Sequence, residues 1–186
     1  MTADCLAGRR IAVLATDGFE LVELTRRVDA LKAAGAQVDI VAPGLGSIQG
    51  FNHHDKGDVV QVDRALDQAD PADYVGLVLP GGVIKPDALR LVAQAIDFIR
   101  GFSSAGKPIA AICHGPWTLI EAGVVKNRRM TSWPSLKTDL QNAGAEWTDE
   151  PVVIDQNLVT SRKLDDLLAF CAKMIEAFAE EQQVKA

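Results

Sequence analysis

The chain has 186 residues, of which 48% are hydrophobic and 24% are charged, so we expect one domain with a sizeable core and exclude wholesale disorder. Its formal net charge is −6 and it has no run of Lys or Arg, which argues against binding to nucleic acid or to an anionic membrane surface. We find no signal-peptide pattern, no apolar stretch long enough to cross a membrane and no Cys-x-x-Cys pair among three cysteines, and therefore expect a cytoplasmic protein with reduced thiols.

The first half of the chain alternates between strand and helix patterns. Residues 11–15 form a continuous apolar run, which is typical of a strand buried on both faces. Apolar residues then recur every three or four positions over residues 20–34, which predicts an amphipathic helix, and residues 38–41 predict the next strand. We interpret this order as a right-handed βαβ unit. The irregular stretch 43–70 is expected to be a small excursion or hairpin on the edge of the sheet.

The second half of the chain continues this alternation. We predict strands at 74–79 and 107–112, helices over 86–105 and 116–122, a strand-like segment at 130–132, a helical segment at 135–143, a hairpin over 152–160 and a last helix from 165 to about 180. This order predicts an α/β fold with a mostly parallel sheet and helices on both faces. The whole chain, 1–186, is expected to be a single domain, with residues 1–9 as a flexible N-terminal extension.

Three predicted strand ends carry residues suited to chemistry. They are Asp17-Gly18-Phe19-Glu20, Pro80-Gly81-Gly82 and Cys113-His114-Gly115-Pro116. Ligands of doubly wound sheets bind outside the carboxyl ends of the strands, so these three loops are predicted to open on one pocket.

Cys113 is the candidate nucleophile. It lies between a buried strand and a helix start, where a sharp turn exposes the side chain and the helix field is expected to lower the pKa of the thiol. The alternative is a buried core cysteine. His114 is the only histidine next to Cys113, the others being His53 and His54. It is therefore either the base that a thiol nucleophile needs or a capping or pocket-wall residue.

Glu20, Gly81 and Gly82 also have two interpretations each. Glu20 opens the first helix, where an acid complements the helix dipole; at the shared pocket, it could instead have a raised pKa and donate a proton to the sulfur. The two glycines could simply form a tight turn. Alternatively, their N–H groups, together with that of His114, could hold an oxyanion.

Other polar motifs carry less chemistry. His53-His54-Asp55 is adjacent in a loop without a second ligand group, which favours a solvated loop over a metal site. Gly44-Leu45-Gly46 lacks the third glycine and the following helix of a dinucleotide fingerprint. We therefore expect no metal and no cofactor. Cys171 shares a helical stripe with Leu168, Ile175 and Phe178 and is expected to be inert core.

Four segments together resemble the PfpI endopeptidase family, which lies in the superfamily of the parkinsonism-associated protein deglycase and the class I glutamine amidotransferase-like proteins. They are Ala111-Ile112-Cys113-His114-Gly115-Pro116, Leu79-Pro80-Gly81-Gly82, Asp17-Gly18-Phe19-Glu20 and Val159-Thr160-Ser161-Arg162. The resemblance runs from about residue 11 to residue 178. The absence of a histidine after His114 sets the chain apart from glutamine amidotransferases, which carry a late His and Glu pair.

The resemblance implies a flavodoxin-like three-layer sandwich that assembles as a cytoplasmic homodimer or higher homo-oligomer. It implies a reactive Cys113 paired with Glu20, His114 as base, and the N–H groups of Gly82 and His114 as oxyanion hole. In PfpI-type enzymes an acid after Pro-Gly-Gly reaches the histidine of a neighbouring subunit, and the matching position is Asp87. Members of the family usually carry Glu there, on a loop one residue shorter. Leu164 is a second departure, because proline usually follows the Ser-Arg pair.

Three functions are compatible with these residues. The first is a cysteine-dependent enzyme that acts on small reactive carbonyls or glycated adducts, in line with the deglycase and glyoxalase activities that the resemblance implies. The second is an oligomeric cysteine peptidase that uses Cys113, His114 and Asp87. The third is a redox sensor or chaperone-like stress protein without turnover, in which an accessible thiol beside a carboxyl group traps peroxide.

Overall fold

The computed structural model describes residues 4–180. Its strands are β1 (Arg10–Leu14), β2 (Phe19–Glu20), β3 (Gln37–Ala42), β4 (Ser47–Asn52), β5 (Asp55–Gln61), β6 (Arg64–Ala65), β7 (Gly76–Leu79), β8 (Ile109–Ile112), β9 (Arg129–Met130), β10 (Glu146–Trp147), β11 (Val152–Asp155) and β12 (Leu158–Ser161). Its α-helices are α1 (Leu21–Ala33), α2 (Ile84–Arg90), α3 (Ala93–Ser104), α4 (Pro116–Ala122), α5 (Lys137–Asn142) and α6 (Leu167–Ala179).

A seven-stranded sheet forms the centre, in the order β11-β12-β8-β7-β1-β3-β6. Its pairs are parallel except for β11, which runs antiparallel to β12. Every residue of β7, β8 and β12 is buried, as expected for parallel strands with helices on both faces. Residues of α3, α4 and α5 pack in the core on one face, and residues of α1 and α6 pack in the core on the other. The predicted three-layer α/β sandwich is confirmed.

Two segments differ from the sequence prediction. The helix predicted over 86–105 is two helices, because Val92 adopts an extended backbone between α2 and α3 and Leu91 is exposed there. The hairpin of β4 and β5 does not extend the central sheet. It pairs with β2 in a separate three-stranded sheet, which brings the hairpin to the start of α1.

The ends of the described chain also correct two expectations. Residues 4–9 pack on the domain and do not extend from it: Leu6 is fully buried and its N–H donates to the Ala34 carbonyl at 2.8 Å. Residues 1–3 of the predicted extension lie outside the described residues. On α6, Leu168 is exposed and Cys171 only partly buried, because the inward stripe consists of Phe170, Met174, Ile175 and Phe178.

Within residues 4–180, no helix combines the length and the apolar character needed to span a membrane.

Candidate functional site

Cys113 occupies a strained turn between β8 and α4. Its φ is +58°, in the left-handed region that non-glycine residues seldom adopt. The turn is tight enough to require Gly115, since a Cβ there would lie 2.5 Å from the Leu79 carbonyl oxygen. The backbone is fixed by the Cys113 N–H, which donates to the Ser161 carbonyl at 3.1 Å, and by the Gly115 N–H, which donates to Ile112 at 2.8 Å. The predicted elbow is present, with the sulfur held away from the strand direction.

The carboxyl group at the thiol belongs to Glu23. This residue is 1% exposed, its Oε2 accepts from the Gly81 N–H at 2.7 Å, and its side chain hydrogen-bonds with that of Cys113. A Cβ on Gly81 would lie 2.5 Å from Glu23 Oε2 and 2.7 Å from Cys113 Cβ. The acid, the thiol and the Pro-Gly-Gly loop are therefore in close contact.

Glu20, which the sequence predicts for this place, points elsewhere. It is the extended residue that precedes α1, and its carboxylate accepts from the His53 N–H at 3.2 Å in the turn between β4 and β5. Glu23 lies three residues further along, in the first turn of α1, and faces inward with Leu24 and Arg27. The phase of the helix, and not nearness to the strand end, decides which acid meets the sulfur.

Two buried cations lie close to Glu23. Arg27 is fully buried, donates to the backbone carbonyl of Glu23 and lies over the Phe170 ring, 5.2 Å from its centroid. Lys85 is also fully buried, and its Nζ donates to the Pro80 carbonyl at 2.8 Å. Burial raises the pKa of Glu23, and the charge of Arg27 opposes that rise.

The pKa of Cys113 corrects the sequence prediction. Burial and the Glu23 carboxylate raise the pKa of the thiol, whereas the N–H groups of His114 and Gly82 lower it without outweighing the rise. The helix field alone therefore does not ionise this thiol. Because Cys113 and Glu23 share a hydrogen bond, they titrate as a pair, and the one-proton state holds that proton between sulfur and carboxylate.

His114 is the titratable partner on the other side of the sulfur. Its Nδ1 lies 3.2 Å from Cys113 Sγ, and its Nε2 lies 3.5 Å from Ser135 Oγ. The ring stacks on Trp133 with 6.0 Å between centroids. Burial lowers the pKa of His114, so the imidazole is neutral at neutral pH and its ring nitrogen can accept a proton. The positive φ of Cys113 is what brings these adjacent side chains to the same side.

Gly82 and Asp87 lie on the loop and helix that follow β7. Gly82 has a φ of +90°, and a Cβ there would lie 2.4 Å from the Gly18 carbonyl oxygen, so the position requires glycine. Its N–H reaches the Cys113 sulfur, as does that of His114. Asp87 is exposed on α2 and is not among the residues that contact Cys113 or His114 within the described chain. Its contribution to a neighbouring subunit stays a prediction.

His53 and His54 form the turn between β4 and β5, and Asp55 begins β5. All three side chains are exposed. In the part of the chain that the structure describes, no group of three or more His, Cys, Asp or Glu residues is placed to hold a metal ion.

Known proteins resemble this chain along most of its length. The family model of the DJ-1/PfpI family matches residues 9–177. The protein/nucleic acid deglycase 2 of Escherichia coli is 42% identical over 165 residues, which covers 87% of this chain and 93% of that protein. A candidate cysteine protease of Bacillus subtilis is 40% identical over 162 residues, covering 87% and 94%. The crystal structure of Drosophila melanogaster DJ-1beta superposes with a TM-score of 0.83 at 30% identity, covering 95% of this chain and 94% of that one.

Proposed function

Since the chain belongs to the DJ-1/PfpI family, we propose that it is a cysteine-dependent enzyme that acts on reactive carbonyl compounds and on their adducts with amines and thiols. The observation that carries this proposal is the set of groups around one sulfur atom. Cys113 Sγ lies 3.2 Å from the Nδ1 of His114 and is hydrogen-bonded to Glu23 and to the N–H groups of Gly82 and His114. A nucleophile, a base, an acid and oxyanion donors are thus in one place. The deglycase relative supports the substrate class.

The first step is addition of sulfur to an aldehyde carbon. Neutral His114 accepts the thiol proton at Nδ1 while the C–S bond forms, and the carbonyl π electrons move to oxygen. The N–H groups of Gly82 and His114 hold the developing oxyanion. That same proton then returns to the alkoxide oxygen through the Glu23 carboxylate, whose pKa is raised by burial, and a hemithioacetal results.

The second step depends on the substrate. With an α-oxoaldehyde, transfer of the proton from C1 to C2 turns the hemithioacetal into the thioester of a 2-hydroxy acid. Water then cleaves the thioester and regenerates the thiol, so the net reaction adds one water and needs no oxidant. With an amine or thiol adduct of the aldehyde, Cys113 displaces the amine or thiol before the same sequence.

Methylglyoxal turnover by wild-type protein and four variants tests this proposal. We expect Cys113→Ser to lose turnover. We expect Glu23→Gln and His114→Gln each to lose about a hundredfold or more, in the range of a removed acid or base. Glu20→Gln is the matched control, because Glu20 immediately precedes the same helix but its carboxylate accepts from the His53 N–H. Equal turnover by wild type and Cys113→Ser would contradict the proposal, and a loss in Glu20→Gln alone would restore Glu20 as the acid.

Peptidase activity is the second candidate, favoured by the contact between His114 Nδ1 and Cys113 Sγ and by the candidate cysteine protease among the relatives. It would use Asp87 of a neighbouring subunit in a homodimer or higher oligomer, in a cytoplasmic setting. The same variants, assayed on denatured casein together with Asp87→Asn, separate the two activities. Casein cleavage that depends on both Cys113 and Asp87 would favour the peptidase over the carbonyl enzyme.

A further inference from the structure

Lys85 and Glu23 bind opposite ends of one peptide group. Lys85 Nζ donates to the carbonyl oxygen of Pro80 at 2.8 Å. The N–H of the next residue, Gly81, donates to Glu23 Oε2 at 2.7 Å. The Pro80 carbonyl and the Gly81 N–H belong to the same planar unit, so an ammonium group polarises that unit toward a carboxylate. Since hydrogen bonds in such a chain strengthen one another in a low-dielectric interior, the amine and the acid are electrically linked through the backbone.

Both ends of this chain are removed from solvent. Lys85 is 0% exposed and Glu23 is 1% exposed. Burial lowers the pKa of Lys85 to about 7, and attraction to Glu23 opposes that fall. A surface lysine would interact with a carboxylate through water and contribute little, whereas here one peptide group contacts both side chains directly.

The other charged groups around the pair are accounted for. Arg27 on α1 and Glu20 just before α1 act on Glu23, and Cys113, which follows β8, hydrogen-bonds with it. On the helices packed against α2, Glu121 of α4 pairs with Arg90 at 3.6 Å, and Asp97 of α3 pairs with Arg100 at 3.1 Å. Among the described residues, Glu23 is the one charged group that acts on Lys85.

We propose that Lys85 is a positioning residue of the candidate site, and that its ammonium acts through the Pro80–Gly81 peptide group on the Glu23 carboxyl, and so on the proton that Glu23 shares with Cys113. The contribution to catalysis rests on the function proposed above, whereas the link between Lys85 and Glu23 does not. The same contacts fix the loop whose next N–H, that of Gly82, faces the sulfur. Lys85 itself touches neither the sulfur nor a substrate.

The test follows the titration of each partner while the other is changed. In protein with carbon-13 in its glutamate carboxyl groups, the Glu23 signal is assigned with Glu23→Gln and followed by NMR over pH in wild type, Lys85→Met and Lys85→Gln. We expect the Glu23 midpoint to move to higher pH by about one unit in both variants, because each removes the positive charge. Lys173→Met, on α6, is the control lysine and is expected to leave the midpoint unchanged.

The reciprocal experiment keeps Lys85 in place. Because coupling between two sites is reciprocal, Glu23→Gln should lower the midpoint of the Lys85 amine, followed by nitrogen-15 NMR of labelled lysines, whereas Glu20→Gln should not. This measurement remains decisive where the Lys85 variants do not fold. A Glu23 midpoint unchanged in folded Lys85 variants, or a Lys85 midpoint unchanged in Glu23→Gln, would overturn the proposal.

Neither readout uses a substrate, so the two proposals fail separately. Coupled midpoints without methylglyoxal turnover would end the carbonyl-enzyme proposal and leave the role of Lys85 standing. Turnover with uncoupled midpoints would do the reverse.

Discussion

Replacement of Lys85 by methionine should remove a defined part of the pH dependence of stability. Lys85 is fully buried, and its pKa is lowered by burial to about 7, against about 10.4 in an unfolded chain. Between these two values the unfolded chain binds more protons than the folded one, so stability increases as the pH rises. Well below pH 7 the amine is protonated in both states, and the slope that Lys85 contributes vanishes.

The magnitude follows from the same two values. Integration of the proton difference from pH 6.5 to pH 8.5 gives about 2 kcal/mol of added unfolding free energy in the wild type, which methionine cannot supply. The Cys113–Glu23 pair enters the comparison only through the change that loss of the ammonium makes in its titration. Any further rise in the pKa of Glu23 after loss of the ammonium adds to the same difference, because it makes the variant lose stability with pH.

Urea unfolding at pH 6.5 and pH 8.5, at one protein concentration, provides the measurement. The quantity of interest is the change in unfolding free energy between the two pH values, wild type minus Lys85→Met. Lys173→Met, which removes a half-exposed lysine of α6, should behave as wild type. Parallel pH dependences in wild type and Lys85→Met would refute a buried, titrating amine at this position.

Two further substitutions test the geometry around the sulfur. Gly81→Ala should lower stability by about 1–3 kcal/mol through overpacking and slow alkylation of Cys113 by iodoacetamide, since its Cβ would lie 2.5 Å from Glu23 Oε2. Gly44→Ala is the control and should do neither, because a Cβ there meets nothing within 4 Å. Equal urea midpoints for the two variants would contradict the close packing at Gly81. Cys113→Gly should be more stable than Cys113→Ala by about 1 kcal/mol, because only glycine adopts the φ of +58° without strain. An alanine variant at least as stable in urea as the glycine variant would show that the turn is not strained.

The alternation of strands and helices could be predicted because it depends on burial. Strands such as β7 and β8 are covered on both faces, and this leaves unbroken apolar runs that the sequence displays directly. The break between α2 and α3 at Leu91 and Val92 could not be predicted, since neither glycine nor proline marks it. The pairing of the β4–β5 hairpin with β2 depends on two residues, Phe19 and Glu20, which are too few to show a strand pattern.

The elbow at Cys113 was predictable, and its acid was not. Small and cyclic residues at Gly115 and Pro116 signal a sharp turn before a helix, and that local chemistry decides the geometry. The acid depends on which face of α1 turns inward. The signal was present in Glu23 and Arg27, two opposite charges four residues apart, both on the buried side of α1, which is an unusual place for charge unless the pair has a role.

The direction of the Cys113 pKa changes how the nucleophile must be activated. A helix start favours a thiolate, but α4 has seven residues and the thiol is partly buried beside a carboxylate. Desolvation and like charge therefore prevail over the amide dipoles. A thiol that is not ionised in advance needs a base in the reacting complex. His114 meets that need, because its pKa is lowered by burial and its Nδ1 is 3.2 Å from the sulfur. Activity should therefore depend on His114 as strongly as on Glu23, which a preformed thiolate would not require.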